Sequence, residues 1–256
     1  MSKYKVVNLI FIVLIGIAIY LVYSKQIPFY LILILLFFHS IIIALGAYFI
    51  QFNFFVKSFN KGINSTKSIS LTFDDGPHEN TLKVIEVLKK YDIKASFFLI
   101  GKNIKGKEDI LKKIIDDGHL VGNHSYKHDF WYSIKSVKNL VADIHQNNAA
   151  ISSITGLISN WFRPPYGVTN PRIANAIKAT NMKSIGWSIR SYDTVGADTN
   201  ATLNRICKQI NGADIVLMHD HLDTTAQLLE DLILYCKKEK IEILPLDKMI
   251  NIKPYA

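Results

Sequence analysis

Two long apolar runs near the amino terminus constrain this chain more than any other feature of its sequence. The first covers residues 6–23 and the second covers residues 27–50, and neither contains Asp, Glu, Lys or Arg. A helix that crosses the hydrocarbon core of a bilayer needs about 20 apolar residues. A short polar break, Ser24-Lys25-Gln26, separates the runs and is soon followed by Pro28. Residues 1–50 are therefore predicted to form two transmembrane helices in a hairpin.

A cleaved signal peptide is the alternative interpretation of the first run, since Lys3 and Lys5 precede it. The run is longer than the ~7–15 residues of a signal-peptide core, and a second run follows it, which favours the hairpin. Two spans place both ends of the chain on the same side of the membrane. Lysines are more frequent in cytoplasmic loops, and their distribution here favours cytoplasmic ends.

The formal net charge of +9 is concentrated beside the apolar runs. The charged residues among positions 1–67 are six lysines, which leaves a charge of +3 for the rest of the chain. Anionic lipid headgroups attract lysines in such positions. No basic stripe with interleaved aromatic residues is present. We therefore expect the lipid bilayer as a partner, expect no nucleic acid, and infer no protein partner.

The chain changes character after the apolar runs. Residues 51–67 are polar and aromatic, and we expect them to form an interfacial linker. From residue 68 to residue 256, short apolar runs alternate with stretches of helical spacing, for example Leu82, Ile85 and Leu88. This alternation predicts parallel strands with crossover helices, in either a barrel or an open doubly wound sheet. The candidate strands are residues 69–73, 95–100, 119–122, 161–162, 184–189, 215–218 and 241–245.

Polar clusters occur where five of these candidate strands end. The clusters contain Asp74 with Asp75, His124, Arg163, Asp193 and His219. In parallel α/β folds, the active site lies at the carboxyl ends of the strands. We therefore expect these clusters, which are far apart in the sequence, to converge on one site.

The first two clusters indicate a metal site. Asp74 and Asp75 repel each other unless a cation offsets their charge. The four-residue spacing of His124 and His128 places both imidazoles on one side of a helical turn or tight loop. Two histidines and one carboxylate make a three-ligand site with positions open for water and substrate. Taken singly, an acidic turn and two surface histidines are the alternatives.

The other three clusters indicate proton transfer. Arg163 precedes two rigid prolines and is expected to brace a carboxylate through two parallel hydrogen bonds, with a solvated surface arginine as the alternative. Asp193 is suited either to orient a histidine or to cap the next helix. His219 ends a strand of buried type, where it is suited to donate a proton near neutral pH or, alternatively, to be a satisfied core residue.

Together these motifs resemble the polysaccharide deacetylase family, which shares the NodB homology domain and is also called carbohydrate esterase family 4. The matching segments are LTFDDGP at 71–77, HSYKH at 124–128, RPPYG at 163–167 and the strand-terminal His219. The resemblance covers residues 68–252. It implies a distorted (β/α) barrel of seven or eight parallel strands in residues 68–256. It also implies a metal-dependent carbohydrate N-deacetylase, a hydrolase of linear amides that removes N-acetyl groups from a cell-envelope polysaccharide such as peptidoglycan or a related amino-sugar polymer. Removal of O-acetyl groups, which are esters, is the alternative.

The resemblance also implies roles for the residues that match the first three motifs. Asp75, His124 and His128 would hold a divalent metal ion, with zinc as the first expectation and cobalt or nickel as alternatives. Asp74 would be the general base, and Arg163 would brace it.

The third, fourth and fifth motifs supply the remaining implied roles. The backbone N–H of Tyr166 would help to bind the oxyanion, and Leu217 would line the slot for the acetyl methyl group. His219 would be the general acid, and Asp193 would orient it.

The fourth motif departs from the family pattern, Asp-x-x-Asp-Trp. In this chain Arg190 replaces the first Asp and Thr194 replaces the Trp, whereas Asp193 is retained. The aromatic wall on which a sugar would stack is therefore missing. We expect Arg190 to contact an anionic group of the substrate, such as a carboxylate or a phosphate.

Two further functions stay open at this point. The first is deacetylation of a lipid-linked saccharide at the membrane face, and the second is a membrane-tethered pseudoenzyme that binds glycans. We expect the protein to be an integral membrane protein with an extracytoplasmic catalytic domain, because cell-envelope glycans lie there. The lysine distribution favours the opposite side, so the two indications conflict.

Overall fold

The computed structural model describes residues 2–63, 67–196 and 198–256, and it begins with two apolar helices. They are α1 (Lys3–Tyr23) and α2 (Tyr30–Tyr48), which pack against each other. Both are long and apolar enough to cross a membrane, although a signal sequence near the amino terminus has the same properties. The predicted pair of apolar helices is therefore present.

The two helices share one polar contact. His39 Nε2 lies 2.9 Å from Asn8 Oδ1, and the His39 ring lies 4.7 Å from the ring of Phe11. Polar contacts of this kind hold helices together where the surroundings are apolar. The contact gives His39 a role in packing the helix pair.

One parallel sheet forms the centre of the rest of the molecule. Within the described residues its strands are β1 (Ser58–Phe59), β2 (Ser68–Asp74), β3 (Ser96–Leu99), β4 (Leu120–Asn123), β5 (Trp161–Phe162), β6 (Lys183–Ile185), β7 (Ile189–Arg190), β8 (Ala213–His219) and β9 (Glu242–Ile243). Eight of them follow the order β1-β6-β5-β4-β3-β2-β8-β7, and β9 pairs with the start of β2. The sheet curls into a half-barrel, which confirms the predicted distorted barrel of parallel strands.

Residues 183–190 reach both sides of this barrel. β6 pairs with β5, whereas β7 pairs with β8. Only three residues lie between β6 and β7. Between these strands, Gly186 N–H donates to Phe59 O and Ser188 N–H donates to Ile215 O. The sequence predicts one strand over 184–189, and the structure has two short strands instead. A single straight strand does not reach partners on both sides of a curved sheet.

Helices cover the outside of the sheet. They are α3 (Glu79–Lys90), α4 (Glu108–Asp116), α5 (Val137–Thr155), α6 (Pro171–Ala179), α7 (Thr199–Gln209), α8 (Thr225–Lys238) and α9 (Leu246–Ile250). Apolar residues at helical spacing face the strands, as Val84, Ile85 and Leu88 of α3 do in the main core. Full burial of each such side chain stabilises the fold by about 1.5–3 kcal/mol. The helices therefore hold the strand ends, with their polar residues, in fixed positions.

The segment after α2 packs on the barrel. Ile50 is 2% exposed and lies in a core cluster with Trp161 and Trp187. Thr169 N–H donates to Ala47 O at 3.0 Å, and Ser58–Phe59 extends the sheet as β1. Residues 51–63 of the expected linker thus contact the domain closely, and residues 64–66 lie outside the described residues. These contacts place the carboxyl end of α2 against the barrel.

Candidate active site

The predicted polar clusters converge at the carboxyl ends of the strands. A cavity of about 210 Å³, called the central cavity below, is lined by Asp74, Asp75, His124, His128, Tyr166, Gly167, Trp187, Arg190, Thr194, Leu217 and His219. Eight of the ten predicted site residues are among them. The other two do not line the cavity but contact residues that do: Arg163 contacts Asp74, and Asp193 contacts His219. The structure therefore brings all ten together.

Asp75, His124 and His128 form a group that could hold a metal ion. Asp75 Oδ1 lies 3.5 Å from His124 Nε2 and 3.6 Å from His128 Nε2, and the three ligand atoms lie within 4.8 Å of one another. Asp75 Oδ1 is buried without a hydrogen-bond partner among the described residues. A buried oxygen left without a partner costs about 1–3 kcal/mol, which a bound cation would offset. The donor set and this unpaired oxygen both fit a divalent metal ion.

A backbone turn separates the two adjacent aspartates. Asp74 is the last residue of β2, and Asp75 has a φ of 75°, in the left-handed region. A residue other than glycine pays about 1–2 kcal/mol for this conformation. Asn103 Nδ2 donates to Asp75 O at 2.8 Å and supports the turn. The change of direction that separates the two side chains thus begins at Asp75 itself.

The two histidines lie in a tight loop after β4. Ser125 and His128 both have a positive φ, at 65° and 49°, so the loop is not helical. His124 is buried, and its Nδ1–H donates to the carbonyl of Arg163 at 2.8 Å. The lone pair of His124 Nε2 therefore faces Asp75. Burial lowers the pKa of His124 to about 3, which keeps the imidazole neutral, as metal ligation requires.

Two residues that the sequence analysis missed support this loop from α5. Buried Asp143 accepts hydrogen bonds from the backbone N–H groups of Tyr126 and Lys127, at 2.9 and 3.1 Å. Asn147 Nδ2 donates to Ser125 O at 2.8 Å. Their signal in the sequence is a pair of polar residues, one helical turn apart, on the face of α5 that otherwise carries apolar residues.

Replacing Asp143 by alanine is expected to weaken metal binding without removing a ligand. Two N–H groups of the histidine loop, both in partly buried hydrogen bonds, lose their acceptor, at a cost of up to about 1–3 kcal/mol each. Loss of such supporting contacts commonly lowers metal affinity ~10–100-fold. Zinc titration and thermal unfolding measure the two effects. Asp116→Ala, at an exposed position of α4, is the control, and equal zinc affinity in both variants would contradict a supporting role for Asp143.

Arg163 is fully buried and holds Asp74. Its NH1 donates to Asp74 Oδ1 at 2.7 Å and to Thr72 Oγ1 at 2.9 Å, and its NH2 donates to Gly186 O at 2.9 Å. The expected pair of parallel bonds to one carboxylate is therefore wrong. Only NH1 donates to Asp74, because NH2 donates to the carbonyl oxygen of Gly186, which lies between β6 and β7. Burial raises the pKa of the Asp74 carboxyl, and the charge of Arg163 opposes this rise.

His219 is held by Asp193 through two hydrogen bonds. Asp193 Oδ1 accepts from His219 Nδ1 and Asp193 Oδ2 accepts from the His219 backbone N–H, both at 2.8 Å. The alternative of Asp193 as a helix cap is wrong, since Asp198 caps α7. Burial lowers the pKa of His219, but Asp193, Asp74 and Asp75 together outweigh burial and raise it above its ordinary value. His219 and Asp74 are register partners on adjacent strands.

The three predicted substrate-binding residues line the same cavity. Tyr166 has a φ of 60°, and its ring lies 4.7 Å from the His128 ring. Leu217 is buried in β8 and pairs in register with Arg190 of β7. Their positions agree with contact to a substrate, and their individual roles stay predictions.

Comparisons with known proteins agree with the geometry. A family model described as polysaccharide deacetylase matches residues 61–185. The peptidoglycan-N-acetylglucosamine deacetylase PgdA of Listeria monocytogenes is 30% identical over 190 residues, which are 74% of this chain and 40% of that protein. The peptidoglycan-N-acetylmuramic acid deacetylase PdaA of Bacillus subtilis is 29% identical over 199 residues, which are 75% of each chain. The chain thus spans less than half of PgdA.

Structural similarity extends over most of the described barrel. The crystal structure of the Bc1960 peptidoglycan N-acetylglucosamine deacetylase matches with a TM-score of 0.72 and 25% sequence identity. The match covers 77% of this chain and 94% of that one. The two proteins therefore share the fold over most of their lengths.

Proposed function

Because this chain belongs to the polysaccharide deacetylase family, we propose that it is a metal-dependent N-deacetylase of a cell-envelope amino-sugar polymer. Two of the relatives are named as deacetylases of peptidoglycan, which supports a substrate of that class. The main structural support is one cavity that unites a three-residue ligand group with a buried carboxylate and an oriented histidine. A metal ion, a general base and a general acid in this arrangement would be able to hydrolyse an amide.

The ligand group consists of Asp75, His124 and His128, and zinc is the metal ion we propose first, with cobalt or nickel as alternatives. A divalent cation bound there would polarise the amide carbonyl and lower the pKa of a water molecule. The neutral state of His124 and the unpaired oxygen of Asp75 support this assignment.

Asp74 and His219 are the proposed proton-transfer residues. Asp74 takes a proton from the water that attacks the carbonyl carbon, and Arg163 keeps its carboxylate in place. His219 then donates a proton to the leaving nitrogen, since an amine leaves only when protonated. Asp193 accepts the Nδ1–H of His219, so Nε2 is the atom that delivers the proton. The products are a free amine and acetate.

Two further residues complete the proposed site. The backbone N–H of Tyr166 stabilises the oxyanion, as donors aimed at developing charge do. Leu217, which is buried and adjoins the cavity, contacts the acetyl methyl group. A pseudoenzyme that only binds glycans has less support, because the ligand group and both proton-transfer residues are present.

We also propose that α1 and α2 anchor the domain in the membrane. Both helices are long and apolar enough to span it, and α2 continues directly into the barrel. The catalytic domain then lies close to the membrane surface, on the extracytoplasmic side where peptidoglycan is found. Protease protection of a carboxyl-terminal tag in sealed cells measures the side.

Acetate release tests the proposed activity. The full chain in detergent, supplied with zinc or cobalt, is expected to release acetate from N-acetylglucosamine oligomers or from peptidoglycan. A chelator should stop the release, and added metal should restore it. An O-acetylated xylan serves as a comparison for ester substrates. Absence of acetate from every substrate with the metal-loaded protein would contradict the proposed function.

A further inference from the structure

A second cavity adjoins the central cavity. This lateral cavity of about 230 Å³ has in its lining Tyr48, Phe49, Phe52, Trp187, Arg190 and Tyr192. Trp187 and Arg190 line both cavities. Arg190 therefore lies between the proposed reaction site and the carboxyl end of α2.

The guanidinium of Arg190 has no anionic partner among the residues that the structure describes. Its guanidinium lies 5.9 Å from the ring of Trp187 and 5.0 Å from the ring of Tyr192. Its Nε is buried without a hydrogen-bond partner, and no carboxylate forms an ion pair with it among the described residues. Arg163, by contrast, donates four hydrogen bonds. A partly buried guanidinium with unused donors favours an anionic ligand, because phosphate accepts two parallel bonds from it.

The lateral cavity opens beside the end of an apolar helix. α2 ends at Tyr48, and Tyr48, Phe49 and Phe52 are exposed aromatic residues at this end. Tyrosine, like tryptophan, is enriched at the level of the lipid headgroups, which suits Tyr48. The bond between Thr169 N–H and Ala47 O, together with buried Ile50, fixes this end against the barrel. The lateral cavity thus lies where a lipid phosphate would be located.

We propose that the lateral cavity binds the phosphate of a lipid-linked amino sugar and that Arg190 is its anion-binding residue. The sugar extends from this phosphate into the central cavity, where its acetamido group lies near Asp75. The inference rests on the proposed deacetylase activity and changes its substrate from a finished polymer to a lipid-linked amino sugar. It also accounts for Arg190 at a position where the family pattern has an aspartate, since a negative charge there would repel a phosphate.

Binding measured without turnover tests this inference. The full chain, freed of metal with a chelator and placed in nanodiscs of neutral phospholipid, is titrated with prenyl-diphosphate-linked N-acetylglucosamine and with a phosphate-free alkyl N-acetylglucosaminide. The wild type is expected to bind the diphosphate compound at least ~10-fold more tightly, as several phosphate hydrogen bonds predict. In Arg190→Gln this preference should disappear. Lys208→Gln, which removes an exposed cation of α7 outside both cavities, should keep it.

Three results would overturn the inference. They are an unchanged preference in Arg190→Gln, no preference in the wild type, and a loss of preference in Lys208→Gln as large as in Arg190→Gln. Arg190→Lys keeps a point charge and is expected to retain part of the preference, which guards against misfolding of the glutamine variant. Inorganic diphosphate that binds as tightly as the prenyl compound would show that a free anion is the ligand.

The experiment separates this inference from the proposed function. A protein that prefers the diphosphate compound but releases no acetate when metal is restored contradicts the deacetylase activity. A protein that releases acetate but lacks the preference retains the activity and excludes the lipid-linked substrate.

Discussion

Replacing His128 by alanine is expected to abolish metal binding and acetate release together. The change removes one of three proposed ligands, and the remaining two, Asp75 and His124, leave the cation held mainly by water. Since loss of a residue that only supports a ligand lowers metal affinity ~10–100-fold, loss of a ligand should lower it by more than ~100-fold. Metal analysis of the purified protein and zinc titration measure the first effect, and acetate release measures the second.

The control is His145→Ala, which removes an exposed histidine of α5 outside the central cavity. This variant should bind metal and release acetate like the wild type. Thermal unfolding of both variants without metal shows whether the fold is intact. A His128→Ala protein that holds one metal ion per chain with wild-type affinity would contradict the ligand assignment.

Replacing His219 by alanine is expected to lower the turnover rate ~10²–10⁴-fold while the metal stays bound. His219 lies outside the proposed ligand group, and its Nε2 is 4.0 Å from Asp75 Oδ2. The loss should therefore appear in kcat and leave the metal content unchanged. Full activity in this variant would remove His219 from the mechanism.

The pH dependence provides a second measurement of the same assignment. A general acid must be protonated, so activity is present below the pKa of His219 and is lost as the pH rises through it. The hydrogen bond and charge of Asp193 contribute to the raised pKa of His219. Asp193→Asn should therefore move the alkaline limb of kcat/KM to lower pH. An alkaline limb at the same pH in both proteins would show that another group causes it.

Several features of the fold could be predicted because their causes are local. An apolar run of about 20 residues predicts a helix wherever it lies in the chain, and α1 and α2 agree with this. A short apolar run that ends in a polar residue predicts a buried strand, as Ser68–Asp74 and Ala213–His219 show. The two-residue strand Ser58–Phe59 lies in the expected linker and carries no periodic pattern, so the sequence does not predict it.

The supporting contacts of the site depend on distant parts of the chain. Asp143 and Asn147 lie on a helix whose pattern reveals a buried face but not the loop that this face supports. Arg163 was expected to bond one carboxylate twice. Residues 183–190 connect β6 with β7, and there the carbonyl of Gly186 accepts a hydrogen bond from NH2 of Arg163 instead.

The sequence alone thus determined the pair of apolar helices, the alternation of strands and helices, and the residue types at the strand ends, because short-range periodicity and motif spacing encode them. The tertiary structure decided which of those residues share a cavity, how Asp193 divides its two oxygens between the ring and backbone of His219, and that the end of α2 adjoins Arg190. These relations follow from the curvature and closure of the sheet, which arise only when segments more than 100 residues apart pair with one another.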